Sequence, residues 1–212
     1  QIKLRVTELQ KADLRRKLES GALSAEEEDD LRRRLAALDQ SSLKLQLEAL
    51  GAEEAELRRQ LASGRLSADE EAKLRQRLAE IGQDRMRIST EMLDAEEAEM
   101  KRRINSGLLS ELEKELAHQR LAGIAQARVQ LKIDALNLEE AELRRRLASG
   151  TLSPAEEEAI RARLAALEQE RIKLKIEKLE LEASELRRRL DCGSLSADEQ
   201  ELALRRLAAI GM

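Results

Sequence analysis

The chain has 212 residues, 39% of them charged, and it contains no Phe, Tyr or Trp. Its 39 basic and 43 acidic residues give a net charge of −4, so it lacks the basic field that binds nucleic acid. No apolar run approaches the roughly 18 residues of a membrane span, and a single cysteine excludes an internal disulfide. We therefore predict no nucleic-acid partner, no membrane span and an intracellular location.

One pattern recurs five times at a spacing of 43 residues, and it is clearest between Leu143 and Ser153. Such a period marks a tandem array in which each unit buries its apolar face against its neighbours. The chain opens on Gln1 in mid-pattern, from which we expect either a piece of a longer array or a deliberately trimmed chain. The glycines that mark the copies are Gly21, Gly64, Gly107, Gly150 and Gly193.

The recurring Ser-Gly-x-Leu-Ser segment ends one helix and begins the next. The glycine provides a left-handed residue after the helix, and the following serine begins a capping box in which Ser-x-x-Glu satisfies two free amides. In chain order, the boxes are Ser24/Glu27, Ser67/Glu70, Ser110/Glu113, Ser153/Glu156 and Ser196/Glu199. The predicted turns are therefore residues 20–24, 63–67, 106–110, 149–153 and 192–196.

Between consecutive turns the sequence predicts one long helix, for example from Pro154 to Asp191, about 57 Å long. Acidic residues at the helix starts and arginines at the ends favour the helix dipole, and Glu142 with Arg146 forms a candidate i,i+4 ion pair. The fold class is all-α: an α-solenoid or elongated up-and-down array of antiparallel helices, forming one array over residues 1–212.

Apolar residues lie on two sides of each predicted helix. In the last full copy one stripe is Ile160, Leu164 and Leu167. The other is Ile172, Ile176, Leu179, Leu186 and Leu190. This layout predicts that a helix packs on its predecessor with its first half and on its successor with its second half.

Two local features leave alternatives open. Residues 43–47, 129–133 and 172–176 alternate between apolar and polar, which is also typical of a strand in a strand-helix-helix solenoid. Residues 39–42 and 82–84 contain Asp, Ser or Gly at the middle of two predicted helices, where a kink would fit. Strong helix formers on both flanks favour continuous helices.

We find no constellation that would perform chemistry. His118 occupies a mostly polar repeat position, and Cys192 replaces a serine that the other four copies carry at the turn. The acidic run Glu26 to Asp30 lacks the spacing and turn glycine of a calcium loop. We predict no enzyme activity, no cofactor, and no catalytic, cofactor-binding or metal site.

The segment from Glu142 to Leu167, with its Ser-Gly-x-Leu-Ser bend, is similar to the short helical hairpins called SHOCT domains. The Leu/Ala/Arg/Glu-rich periodic array also resembles cytoskeletal tandem-repeat proteins, including large repetitive proteins of flagellated protozoa. A third resemblance is to designed helical repeats. The cytoskeletal resemblance implies a structural role in the cell.

We predict a structural or scaffolding protein that acts through shape, spacing and self-association, with protein partners. Apolar positions of the terminal half-units, such as Leu4, Leu207 and Ile210, should be partly uncovered and support association. The alternatives are a module that binds a peptide or helix, and a de novo designed repeat without natural function.

Overall fold

A computed structural model describes residues 2–21, 23–193 and 195–211 and contains long helices without any strand in these ranges. The four central helices are 38 residues long each. The helices are α1 (Ile2–Glu19), α2 (Ala25–Ala62), α3 (Ala68–Asn105), α4 (Glu111–Ala148), α5 (Pro154–Asp191) and α6 (Ala197–Ile210). The predicted all-α class is confirmed.

The turns lie where the glycine pattern predicts them. Each helix ends immediately before a predicted turn and the next begins immediately after it. The five turn glycines have φ between 64° and 71°, in the left-handed region that favours glycine. Ala22 and Ser194, which belong to two of the turns, lie outside the described residues.

All five predicted capping boxes form. At Ser153, the hydroxyl accepts the amide of Glu156 at 3.4 Å, and the Glu156 carboxylate accepts the amide of Ser153 at 2.8 Å. Ser67 and Glu70 make the same reciprocal bonds. Hydrogen bonds from the cap serine hold the pKa of Glu70 and Glu156 below the ordinary glutamate range. These local bonds explain why the helix starts could be predicted without tertiary information.

The long helices run without interruption through the ambiguous segments. Residues 39–42 lie inside α2 and residues 82–84 inside α3. The alternating segments 43–47, 129–133 and 172–176 are helical throughout, so the strand alternative is wrong. The residues that flank these segments are strong helix formers, and their preference for a helix outweighs the period-two pattern.

The chain divides into two compact units, Gln1–Arg102 and Arg103–Met212. In the first, α1 packs on α2, and ion pairs join α2 to α3. In the second, α4 packs on α5 and α5 on α6. Each unit therefore contains antiparallel neighbours joined by short turns. A single array over residues 1–212 stays a prediction.

The two halves of a helix do not divide predecessor and successor between them. Glu139, late in α4, pairs with Arg163, early in α5, while Glu115, early in α4, pairs with Arg188, late in α5. Both halves of α4 therefore contact α5, and the predicted half-by-half division is wrong here. The reason is the tight turn, which folds the two 38-residue helices alongside each other over their full length.

The cores consist of aliphatic side chains that recur at the same repeat position in successive copies. Ile81 in the first unit is fully buried, and its repeat equivalents Ile124 and Leu167 in the second are 3% and 2% exposed. Leu195, beneath the last turn, is also buried. Without aromatic residues, these thin helix-to-helix contacts supply the buried apolar area.

Replacing Ser67 with alanine is expected to destabilise the start of α3 by about 1 kcal/mol, because the Glu70 amide loses its acceptor. Hydrogen exchange of the first-turn amides of α3 measures the loss, which should stay near that turn. The control is Ser184→Ala, since this exposed mid-helix hydroxyl only bonds the carbonyl of Leu181. Equal acceleration of exchange in distant helices would contradict the prediction.

Candidate interaction surface

A bidentate arginine–glutamate pair joins neighbouring helices at one repeat position. Arg77 on α3 donates to Glu53 on α2, with Nε to Oε1 at 2.7 Å and Nη2 to Oε2 at 3.1 Å. The same pair forms in two later copies with distances between 2.6 and 3.0 Å. These pairs are Arg163–Glu139 and Arg206–Glu182. We call the three pairs the central clamps.

The central clamps perturb their carboxylates in the same way. Hydrogen bonds from Arg77 lower the pKa of Glu53, and those from Arg163 lower the pKa of Glu139. Arg163 in turn has its pKa raised by Glu139. These groups remain charged through neutral pH, so the bidentate pairs persist there and hold neighbouring helices in register. Because solvent screens these exposed pairs, each contributes little to stability, and their effect is mainly on register.

A second kind of pair joins the start of one helix to the end of the next. Asp29 in α2 pairs with Arg102 in α3 at 2.7 Å, and Glu115 in α4 pairs with Arg188 in α5. The second pair lies two repeats after the first, at the same repeat positions. We call these the end clamps. Together, the central clamps and the end clamps hold two neighbouring helices at both ends of the contact between them.

Carboxylates of the acidic run from Glu26 to Asp30 form ion pairs both within α2 and with α3. Asp29 bonds Arg102 and Arg33, and Asp30 bonds Arg34 within the same helix. Among the described residues, no group of three or more His, Cys, Asp and Glu side chains is arranged to hold a metal ion. The candidate i,i+4 pair of Glu142 with Arg146 is wrong, because Glu142 pairs with Arg145 at 2.9 Å.

In the first copy, a buried lysine stands at a repeat position where neighbouring copies carry a glutamate. Lys11 is 8% exposed and stands at the repeat position of Glu54, which pairs with Arg85. Its ammonium contacts Asp39 on α2 at 2.7 Å and Glu8 at 2.8 Å. Burial acts to lower the pKa of Lys11, but these hydrogen bonds outweigh it and raise the pKa. The α1/α2 pair is thus held by a cation that no other copy contains.

The structure gives His118 and Cys192 peripheral places. His118 is exposed on α4. The Cys192 thiol is exposed and donates to the Arg189 carbonyl at 3.4 Å. The serines at its repeat position donate to the carbonyl three residues earlier at 2.7–2.8 Å; they are Ser20, Ser63, Ser106 and Ser149. Cys192 therefore keeps the bonding pattern of the serine that it replaces, which the sequence pattern alone did not reveal.

A groove of about 380 Å³ lies between α1 and α2. Its lining includes Gln10, Arg34 and Leu38. Gln10 and Arg34 stand at the repeat positions of Glu53 and Arg77, so the groove opens where Gln replaces the clamp glutamate. The lining residues include no histidine, cysteine or serine that would suggest a nucleophile.

One ridge of apolar side chains is exposed at the start of α4. Leu108, Leu112 and Leu116 are 71%, 70% and 55% exposed. Most other copies carry charged or small residues at these positions, including Asp69 and Lys73 at the last two. The ridge therefore distinguishes this copy from the general surface of the repeats.

The regular helices and clamps define the chain as an all-α tandem-repeat protein. Compared with family models, curated proteins and solved structures, it matches none. Within the described ranges, no helix has an apolar stretch that is long enough to cross a membrane.

Proposed function

We propose that the protein is a structural scaffold, without catalytic activity, that spaces or joins other components through its helical repeats and through self-association. The central clamps carry this proposal. Three copies use the same two residues, in the same bidentate geometry, to hold neighbouring helices in register. A surface whose charges are engaged in repeating internal contacts suits a role that depends on length and shape.

The proposed setting is intracellular, in the cytoskeleton, with proteins as partners. The nearly balanced charge supports this choice of partner, since nucleic-acid binding needs a concentrated basic face. Exposed apolar side chains at the repeat surface offer contacts that another helix could cover.

Duplicating residues 111–153, which comprise α4 and its following turn, tests the scaffold proposal. The longer chain should keep its helicity per residue and gain one helix spacing, about 8–10 Å, because each unit contacts only its neighbours. Circular dichroism and small-angle X-ray scattering measure the two quantities. An insert of the same composition in scrambled order is the control and should lower mean helicity. Loss of folding in the duplicated chain would argue against an extendable scaffold.

A peptide- or helix-binding module is the second candidate, and the ridge of Leu108, Leu112 and Leu116 favours it. Leu112 and Leu116 lie one turn apart on one face of α4, and Leu108 lies in the turn before this helix; such a row of exposed apolar side chains suits an amphipathic helix as partner. Leu112→Glu separates the two candidates, because it should abolish capture of an amphipathic helical peptide and leave the scattering profile unchanged. The matched control is Ala155→Glu, at the same repeat position in α5.

A further inference from the structure

Two isoleucines of α5 are exposed at positions that are buried one copy earlier. Ile172 and Ile176 are 52% and 51% exposed. Their repeat equivalents in α4, Val129 and Ile133, are 2% and 8% exposed. The apolar stripe is thus the same in the two helices, but in α5 it lacks a cover.

The length of the following helix explains part of this difference. α4 lies against a full-length α5, and the bond from Lys178 to Gln130 lies beside the buried stripe. α5 lies against α6, which has 14 residues, and the Glu182–Arg206 clamp places it along the C-terminal half of α5. The middle and first half of α5 therefore face no helix on the α6 side within the second unit.

Charges mark the same uncovered face. Glu158 stands at the repeat position of Glu115, whose partner in the end clamp is Arg188. Within the described residues, Glu158 makes no ion pair. Arg16 on α1 stands at the repeat position of Arg188, is exposed, and likewise makes no ion pair in the described part of the chain. The two halves of one further end clamp are therefore both present, and neither forms an ion pair within the described residues.

Helix α1 has the sequence register to cover the stripe. It occupies the repeat positions of residues 174–191, whereas α6 occupies those of residues 154–167. Set one after the other, they provide the two halves of one long helix. Val6, which is 47% exposed, stands at the position from which Lys178 reaches α4.

We infer that the uncovered face of α5 binds α1 of a second copy of this chain, head to tail, with Arg16 of the second copy paired to Glu158. The inference rests on the self-association part of the proposed function and names its surface. The two surfaces differ, so the contact is heterologous: a dimer keeps one unused copy of each surface, and further copies can add to it.

The same register specifies further contacts. It places Glu201 of α6 opposite Arg59 in α2 of the second copy, at the positions of another end clamp. The same register places Lys175 opposite Arg5 of the second copy, at the repeat positions of the Lys132–Glu177 contact. Lys175 and Arg5 carry like charges, so this contact is repulsive. Lys175→Glu should therefore strengthen the association, by roughly 3–10-fold in Kd.

Complementary charge reversal tests the inference on the 212-residue chain. Wild type should show a weight-average mass that rises with concentration in sedimentation, without a plateau at the dimer. Glu158→Arg and Arg16→Glu should each weaken association by roughly 3–10-fold. A mixture of the two variants should recover it, because each interface then joins opposite charges. The control Glu91→Arg, on an exposed site of α3, should behave as wild type.

Ile176→Glu supplies an independent arm, because it places a charge in the apolar stripe without touching the clamp. It should abolish association while leaving helicity unchanged. A wild-type chain that remains monomeric throughout would overturn the inference, whereas the duplication experiment would still test the scaffold. Association that the mixture fails to restore would show that copies join through another face, which overturns this contact and leaves self-association standing.

Discussion

Asp39→Ala is expected to destabilise the α1/α2 pair by about 2–3 kcal/mol. The change leaves the ammonium of Lys11, whose side chain is 10% exposed, without its partner on α2. Breaking a fully buried pair costs roughly 3–5 kcal/mol. The expected cost is lower here because Glu8 still binds Lys11 and the Asp39 side chain is 35% exposed.

Hydrogen exchange of amides in α1 and the first half of α2 measures this loss locally. Asp13→Ala is the matched control, since Asp13 and Lys17 form an exposed pair on α1 whose loss should destabilise the helix pair much less than the loss of Asp39. Adding Lys11→Met to Asp39→Ala should restore most of the stability, because the buried charge is then gone. If the double variant is no more stable than Asp39→Ala, the cost does not come from the unpaired lysine.

Gly150→Ala and Gly123→Ala should have opposite effects on stability. Gly150 has φ of 66°, where a Cβ costs roughly 1–2 kcal/mol. Gly123 lies inside α4, and a Cβ there meets nothing within 4 Å. Alanine at this position should stabilise the helix by about 0.5–1 kcal/mol, because it restricts the unfolded chain more than glycine does.

Both variants add the same methyl group to a glycine, so each serves as the control for the other. Hydrogen exchange in α4 and α5 should slow in Gly123→Ala and accelerate on both sides of the turn in Gly150→Ala. The repeat itself supports the first result, since Ala37, Ala166 and Ala209 stand at the position of Gly123. A loss of stability in both variants would show that Gly123 has a packing role.

The helices and the turns between them could be predicted from short stretches of sequence. A capping box acts within four residues, and a left-handed glycine acts through its own φ and ψ, so neither needs a neighbouring helix. The boundaries around Gly64 and Gly150 therefore followed from local chemistry. The uninterrupted helix through residues 172–176 followed from its helix-forming flanks and not from its alternating pattern.

Which side chains meet, and which stay uncovered, depends on how the helices pack and could not be predicted from the sequence. The sequence contains many glutamates and arginines, and nothing local distinguishes the clamp partner of Arg163 from an i,i+4 neighbour. The pairing arises when the turn brings Glu139 alongside, 24 residues away. Exposure is likewise a property of the neighbours: Val129 and Ile172 share one repeat position, but only Val129 is covered. Local hydrogen bonds fix each helix, whereas burial depends on what packs against it.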